Sequence, residues 1–190
     1  MGKFCLTMQM SLDGIISDVD HWMSLSDEML EDMLAYYDTV DAVLVGGNTY
    51  ASMADYWQHA EKSSDSALER AIAQKINDIR KIVITRTELD LVWRNSEQIV
   101  YSDTSSLVRE LEQLKQTASG TISVESGART WQLFIRNALF DDLWVFVHPV
   151  VVTAGDRLFE SAGTRLPLLL SSNKTYRNGV IGLYYQIPQK

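Results

Sequence analysis

Three clusters of small and hydroxyl-bearing residues follow predicted strands and could hold the phosphates of a ligand. They are Gly46-Gly47-Asn48-Thr49, Thr85-Arg86-Thr87 and Ser126-Gly127-Ala128-Arg129. Glycine lets a ligand approach the backbone, and the free amides at the start of a helix favour anions. Such residues are common in any turn, so a purely geometric role is the alternative for each cluster. Because ligands of open α/β sheets bind at the carboxyl ends of strands, the three together predict a site for a dinucleotide.

The histidines and the single cysteine do not predict a site of their own. His21, His59 and His148 lack the spacing of metal ligands, so we expect no metal centre. His148 lies in an apolar run and is expected to be a hydrogen-bonded core residue. Cys5 has no partner for an internal disulfide, and no secretory signal opens the chain, so a cytoplasmic location is expected.

Composition narrows the range of partners. The chain has 190 residues, 46% of them hydrophobic, and its 17 basic and 25 acidic residues give a net charge of −8. This hydrophobic content supports a packed core, and the length predicts one domain over residues 1–190. The negative charge argues against nucleic acid and membrane partners, since both attract basic surfaces. We therefore expect a small-molecule substrate, with any anion held by local donors.

Short β-rich runs alternate with helical patterns, which predicts an α/β fold. Asn178-Gly179 predicts a tight turn between the last two strands, so the sheet should be mixed, with an antiparallel C-terminal hairpin. Each phosphate-type cluster is expected to open or precede a helix, and Thr104 or Ser105 to cap the third helix. The predicted strands are 3–10, 42–45, 81–85, 98–101, 121–124, 143–152, 166–172 and 180–187, and the predicted helices are 27–37, 67–77, 105–115 and 128–137.

Several short motifs occur in a characteristic order from the first predicted strand to the last. They are Ser11-Leu12-Asp13-Gly14, Gly46-Gly47-Asn48-Thr49-Tyr50, Thr85-Arg86-Thr87, Val124-Glu125-Ser126-Gly127, Leu139-Phe140-Asp141-Asp142, His148-Pro149-Val150-Val151 and Gly155-Asp156-Arg157-Leu158-Phe159. In this order the chain resembles the dihydrofolate reductase-like superfamily, in particular the reductase domain of bacterial riboflavin biosynthesis. The resemblance implies a three-layer α/β/α architecture around a mainly parallel, mixed sheet of about eight strands.

The resemblance also implies a reductase that uses NADPH to transfer hydride to a pterin, a pyrimidine or a related imine or carbonyl substrate. By family position, the amides of residues 46–49 and 126–129 would hold the pyrophosphate. Thr85, Arg86 and Thr87 would face the adenosine 2′-phosphate, where a guanidinium and two hydroxyls suit a dianion. A solvated surface arginine is the alternative for Arg86.

Two carboxyl groups are candidates for catalysis under the same resemblance. Asp13 lies in the turn where nicotinamide and substrate would meet, although an aspartate before glycine is also an ordinary Asx-turn residue. Trp22 precedes Asp27 by five residues, as a loop tryptophan precedes the substrate carboxylate in dihydrofolate reductases. Trp22 would then contact substrate, and Asp27 would act as an acid through water. The alternative for Asp27 is a favourable charge at a helix N-terminus.

Four sites depart from the family pattern. Gly47 stands where arginine is usual, Ala51 replaces a glutamate, and Ser126 replaces the first glycine of a pair. Thr153-Ala154 stands where Leu-Gly is common. The Cβ of Ser126 would be strained if the backbone there needed a positive φ. These departures leave the preference for NADPH over NADH open.

The leading hypothesis is an NADPH-dependent reductase, with 5-amino-6-(5-phosphoribosylamino)uracil reductase as its closest specific form. That activity is accompanied by a pair of zinc-deaminase motifs, H-x-E and P-C-x-x-C, and this pair does not occur in the chain. Dihydrofolate reductase proper is a second possibility, although no arginine is assigned to a folate tail. A non-catalytic nucleotide-binding dimer is the third. A homodimer formed around the late strands is expected, as in the riboflavin branch.

Overall fold

One eight-stranded sheet runs through the computed structural model, which describes residues 2–159 and 165–188. Its spatial order is β4-β3-β2-β5-β1-β6-β8-β7. The first six strands in sequence pair in parallel, whereas β8 is antiparallel to both β6 and β7. The strands are β1 (Lys3–Ser11), β2 (Val40–Gly46), β3 (Arg80–Thr85), β4 (Ser96–Val100), β5 (Thr121–Val124), β6 (Asp142–His148), β7 (Leu169–Thr175) and β8 (Ile181–Gln186).

Helices cover both faces of the sheet. They are α1 (Asp27–Tyr37), α2 (Gly47–Ser63), α3 (Ala67–Asp78), α4 (Thr104–Thr117) and α5 (Ala128–Arg136), with a short 3-10 turn at Val19–His21. Side chains of α4 and α5 share a core with Phe4 and Leu6 of β1. Those of α1, α2 and α3 share a second core with Val43 and Val45 of β2. Alternate strand residues thus supply each core, and the predicted three-layer α/β/α class is confirmed.

Several details of the predicted elements were wrong or missing. The 17-residue helix α2 was not among the predicted helices, because its buried positions include the small Ala54 and Ala60 rather than a strong apolar stripe. Asp103, and not Thr104 or Ser105, caps α4 and accepts the amide of Ser106 at 2.8 Å. Strand β6 ends four residues before its predicted end. After β3 the chain continues into a loop and then β4, without the helix that was expected to follow Thr85-Arg86-Thr87.

Strand β6 lies between β1 and β8, so its apolar residues are used inside the sheet. The outer strand is β7, whose seven residues are all exposed. Edge-to-edge pairing of two copies through the late strands would therefore use β7, and the homodimer stays a prediction. Among the described helices, none combines the length and hydrophobicity needed to cross a membrane.

Candidate functional site

A cleft of about 620 Å³ opens where β2, β3 and β5 end. These strands are neighbours in the sheet, so the turns that follow them lie side by side. The cleft is lined by every residue predicted to bind cofactor: Gly46, Gly47, Asn48, Thr49, Thr85, Arg86, Thr87, Ser126, Gly127, Ala128 and Arg129. The structure thus brings the three clusters together, while their binding of a cofactor stays a prediction.

The two helices that begin at this cleft have no side-chain cap. Gly46 is the N-cap of α2 and Gly127 that of α5, and neither offers a side-chain acceptor. The other three helices are capped by Ser26, Ser66 and Asp103. The first amides of a helix have no partner within it, so those of α2 and α5 are left to a ligand or to solvent. Two such ends in one cleft are an arrangement that favours an anion with more than one phosphate, and binding of such an anion stays a prediction.

Ser126 links the starts of these two helices. Its Oγ accepts the Gly46 amide at 2.9 Å, donates to Thr130 Oγ1 at 3.1 Å and lies 3.1 Å from Thr49 Oγ1. A Cβ at Gly46 would lie 2.8 Å from Ser126 Oγ and 2.5 Å from Thr130 Oγ1, so this hydroxyl cluster requires glycine there. Ser126 is not among the described residues with positive φ, and the strain considered for it does not arise.

Gly47 is enclosed by the wall of the cleft. A Cβ there would lie 2.9 Å from Thr85 Oγ1 and 3.3 Å from Leu89 Cδ1. The Thr85 hydroxyl is itself held, since it donates to the Thr87 carbonyl at 2.7 Å. The arginine usual in the family therefore has no room at position 47 unless Thr85 moves.

Beyond β3, the cleft continues towards an aromatic side chain. The Arg86 guanidinium lies 5.9 Å from the centre of the Tyr101 ring. Both residues also line a smaller neighbouring pocket of about 350 Å³ with Ser102, Ser106 and Glu110. An exposed guanidinium beside an aromatic ring can contact both a phosphate and a flat base. Tyr101 is one of the lining residues that sequence reasoning missed, along with Ile84, Thr130, Leu133, Arg136 and Asp156.

Asp13 is held as an anion by its surroundings. Its carboxylate accepts the amides of Val152 at 3.0 Å and Thr153 at 2.9 Å, and the Ser11 hydroxyl at 2.7 Å. These hydrogen bonds, chiefly those from Val152 and Ser11, lower the pKa of Asp13 to about 2. With this pKa the Asp13 side chain is a carboxylate at neutral pH. Its catalytic role and its contact with substrate stay predictions.

Trp22 and Asp27 are not brought into the cleft. The Trp22 indole donates to the Ser17 carbonyl at 2.9 Å, and its ring packs edge-on against His148 at 5.5 Å. Asp27 is exposed in the first turn of α1, where it meets the helix dipole. His148 is buried and lies 2.7 Å from Gln9 Oε1, as expected of a core residue. Roles for Trp22 and Asp27 at substrate stay predictions.

Glu125 is a buried carboxyl for which its sequence motif predicted no role. It follows β5 directly and precedes the cleft residue Ser126. Its Oε1 accepts the Ser123 hydroxyl at 2.7 Å, and its Oε2 accepts the Tyr37 hydroxyl at 2.8 Å. Ser123 in turn accepts a hydrogen bond from Tyr36 at 3.0 Å. Burial raises the pKa of Glu125, so this carboxyl holds its proton more tightly than an exposed glutamate.

Comparisons with known proteins agree with this architecture. The family model of the RibD C-terminal domain matches residues 3–181. In sequence, the chain is 25% identical over 188 residues to the uncharacterized protein YyaP of Bacillus subtilis, covering 96% of this chain and 94% of that protein.

Solved structures with low sequence identity share the fold. One is a diaminohydroxyphosphoribosylaminopyrimidine deaminase/5-amino-6-(5-phosphoribosylamino)uracil reductase from Thermotoga maritima, with a TM-score of 0.65, 14% identity, and coverage of 98% of this chain and 57% of that one. Another is the dihydrofolate reductase from Enterococcus faecalis complexed with NADP(H), with a TM-score of 0.63, 11% identity, and coverage of 98% and 97%.

Proposed function

The chain belongs to the RibD C-terminal domain family, and from this membership we propose that it is an NADPH-dependent reductase of a small heterocyclic substrate. The observation that carries the proposal is the pair of uncapped helices, α2 and α5, which begin side by side in one cleft. Their amides suit a pyrophosphate. When bound, NADPH would supply the hydride. We further propose a pyrimidine or pterin as the class of substrate, in keeping with the reductase and the dihydrofolate reductase that share the fold.

Each wall of the cleft would hold a different part of the cofactor. The amides of Gly47 and Asn48 on α2, and of Ala128 on α5, would donate to the pyrophosphate. Arg86 and the hydroxyl of Thr87 would meet the 2′-phosphate that distinguishes NADPH from NADH. The Tyr101 ring would support the adenine. The protein would thereby fix the orientation of the nicotinamide relative to the substrate, which is the main contribution a protein makes to hydride transfer.

Glu125, which directly precedes the cleft residue Ser126, is our candidate for a group that holds a proton for the reaction. Asp13 cannot serve, because its carboxylate is deprotonated at neutral pH. Glu125 is buried and its two oxygens contact only hydroxyl partners within the described residues. Through Ser123 it reaches Tyr36, which lines a separate pocket of about 300 Å³ between α1 and the late strands. A chain of hydroxyls of this kind can return a proton to Glu125 after it has been given up.

Tryptophan fluorescence measures cofactor binding without a known substrate. We expect saturable NADPH binding. Arg86→Ala should weaken the binding of NADPH at least about tenfold, because a hydrogen bond to a charged group contributes about 1.5–3 kcal/mol. The binding of NADH should be nearly unchanged. Arg80→Ala is the matched control, because Arg80 lies at the opposite end of β3 in an exposed ion pair with Glu97. The absence of binding for both dinucleotides at millimolar concentration would refute the proposal.

A further inference from the structure

We propose that Arg129 and Arg136 of α5 bind the pyrophosphate of the cofactor and replace the cation that position 47 cannot carry. The inference rests on the proposed dinucleotide site. The family arginine would project from the start of α2, and Thr85 and Leu89 occupy the space that its Cβ would need. A site for a doubly charged pyrophosphate would then have helix amides but no cation on that wall. The opposite wall of the cleft, formed by α5, supplies two cations.

Both arginines line the cleft from one side of α5. They are seven residues apart, which is about two helical turns, so they lie on the same face. Side chains of a helix lean towards its N-terminus, and Arg136 therefore reaches back along α5 towards the helix start. Its Nε donates to the Gln132 carbonyl at 3.2 Å, one turn closer to that start. The two guanidinium groups thus extend from the same wall that presents the uncapped amides.

The charges of the cleft are free for a ligand. Arg129 and Arg136 are exposed, and in the part of the chain that the structure describes neither forms an ion pair, nor does Arg86. Asp156 is the one carboxylate among the lining residues. Among the described residues that line the cleft, three arginines without an ion pair and one carboxylate give it a positive charge, whereas the whole chain carries a net charge of −8. Such a local concentration of cations attracts a polyanion despite the opposing overall charge.

The two groups of arginines should be separable by the part of the cofactor that they contact. The pyrophosphate is common to NADPH and NADH, whereas the 2′-phosphate belongs to NADPH alone. Loss of a guanidinium from α5 should therefore weaken both dinucleotides by the same factor. Loss of Arg86 should weaken NADPH selectively.

The test is a set of fluorescence titrations of Arg129→Gln and Arg136→Gln with NADPH and NADH, beside Arg86→Ala and the Arg80→Ala control. We expect each α5 variant to weaken both dinucleotides about tenfold, and the double variant to weaken them further. Because both side chains are exposed, the thermal midpoints should match that of the wild type.

Three outcomes would overturn the inference while leaving the proposed function intact. They are wild-type affinity in either α5 variant, a loss confined to NADPH, and a loss no larger than that of Arg80→Ala. Failure of the wild-type protein to bind either dinucleotide would instead overturn the proposed function itself. A titration with inorganic phosphate as competitor separates a general anion site from a dinucleotide site, since phosphate alone should compete only weakly with NADPH.

Discussion

Lys81 is a fully buried lysine whose titration should be visible in the stability of the protein. It lies in β3 with no exposed surface, and its Nζ donates to the carbonyls of Ile76 at 3.1 Å and Asn77 at 2.6 Å. The ammonium also lies 4.9 Å from the centre of the Trp93 ring. These carbonyls belong to the last turn of α3, so the lysine stabilises the end of that helix.

The pH dependence follows from the pKa of Lys81 in the two states. Burial lowers it from 10.5 to about 8 in the folded protein. Between these values the unfolded chain binds more protons, so the free energy of unfolding should rise as pH increases from about 8 to 10.5. One pKa unit corresponds to about 1.4 kcal/mol, which gives an increase on the order of 3 kcal/mol over this window.

Urea denaturation of the wild type and of Lys81→Met at pH 7.5 to 10.5 would measure this contribution. Lys81→Met should be about 1–3 kcal/mol less stable near neutral pH, because two carbonyls lose their donor. The difference between the two proteins should then widen as pH rises. Taking the difference cancels other groups that titrate nearby, such as Cys5, whose pKa burial raises to about 11. Stability curves that stay parallel between pH 8 and 10.5 would refute the reasoning.

Two further substitutions test the walls of the cleft. Gly47→Ala should lower stability by about 1–3 kcal/mol and weaken NADPH binding, because the new Cβ would lie 2.9 Å from Thr85 Oγ1; Ala51→Gly, later in α2, controls for altered helix propensity. An unchanged unfolding midpoint would show that the Thr85 side chain moves to make room for the new Cβ. Glu125→Gln should gain stability relative to the wild type as pH rises above about 4.5, because the folded wild type retains its proton over that window. Urea curves from pH 4 to 8 measure this, and a constant difference would argue against a raised pKa.

The sequence predicts those elements that carry a strong local pattern. The bounds of α1 and β5 agree with prediction, since a capping serine or a short β-branched run marks them. Helix α2 was missed because its burial relies on small residues whose neighbours are distant in sequence. The predicted strand for β7 begins three residues early, because the seven exposed residues of this edge strand carry no alternating pattern.

The sequence predicted only those parts of the candidate site that are formed by the backbone of turns. The turns that follow β2, β3 and β5 are recognisable in the sequence from their glycine and hydroxyl residues, and in the structure they line one cleft. The roles of Arg136 and Tyr101 depend on which side of an element faces that cleft, which no local pattern specifies. Burial of Glu125 depends on Tyr37, 88 residues earlier in the chain. Likewise, the two amides that donate hydrogen bonds to the Asp13 carboxylate come from residues 139 and 140 positions away in the chain.

The hydrogen bond between the Gly46 amide and the Ser126 hydroxyl has a consequence for the order of folding. Its bond to the Gly46 amide joins residues 80 positions apart in sequence, so the cleft cannot form until β5 has inserted beside β2. Contacts of such long range are costly in chain entropy and tend to form late in folding. A dinucleotide would therefore bind only to the nearly complete fold. It would then connect segments that are distant in sequence, and it would not direct the folding of either segment. Binding of this kind stabilises the finished protein selectively.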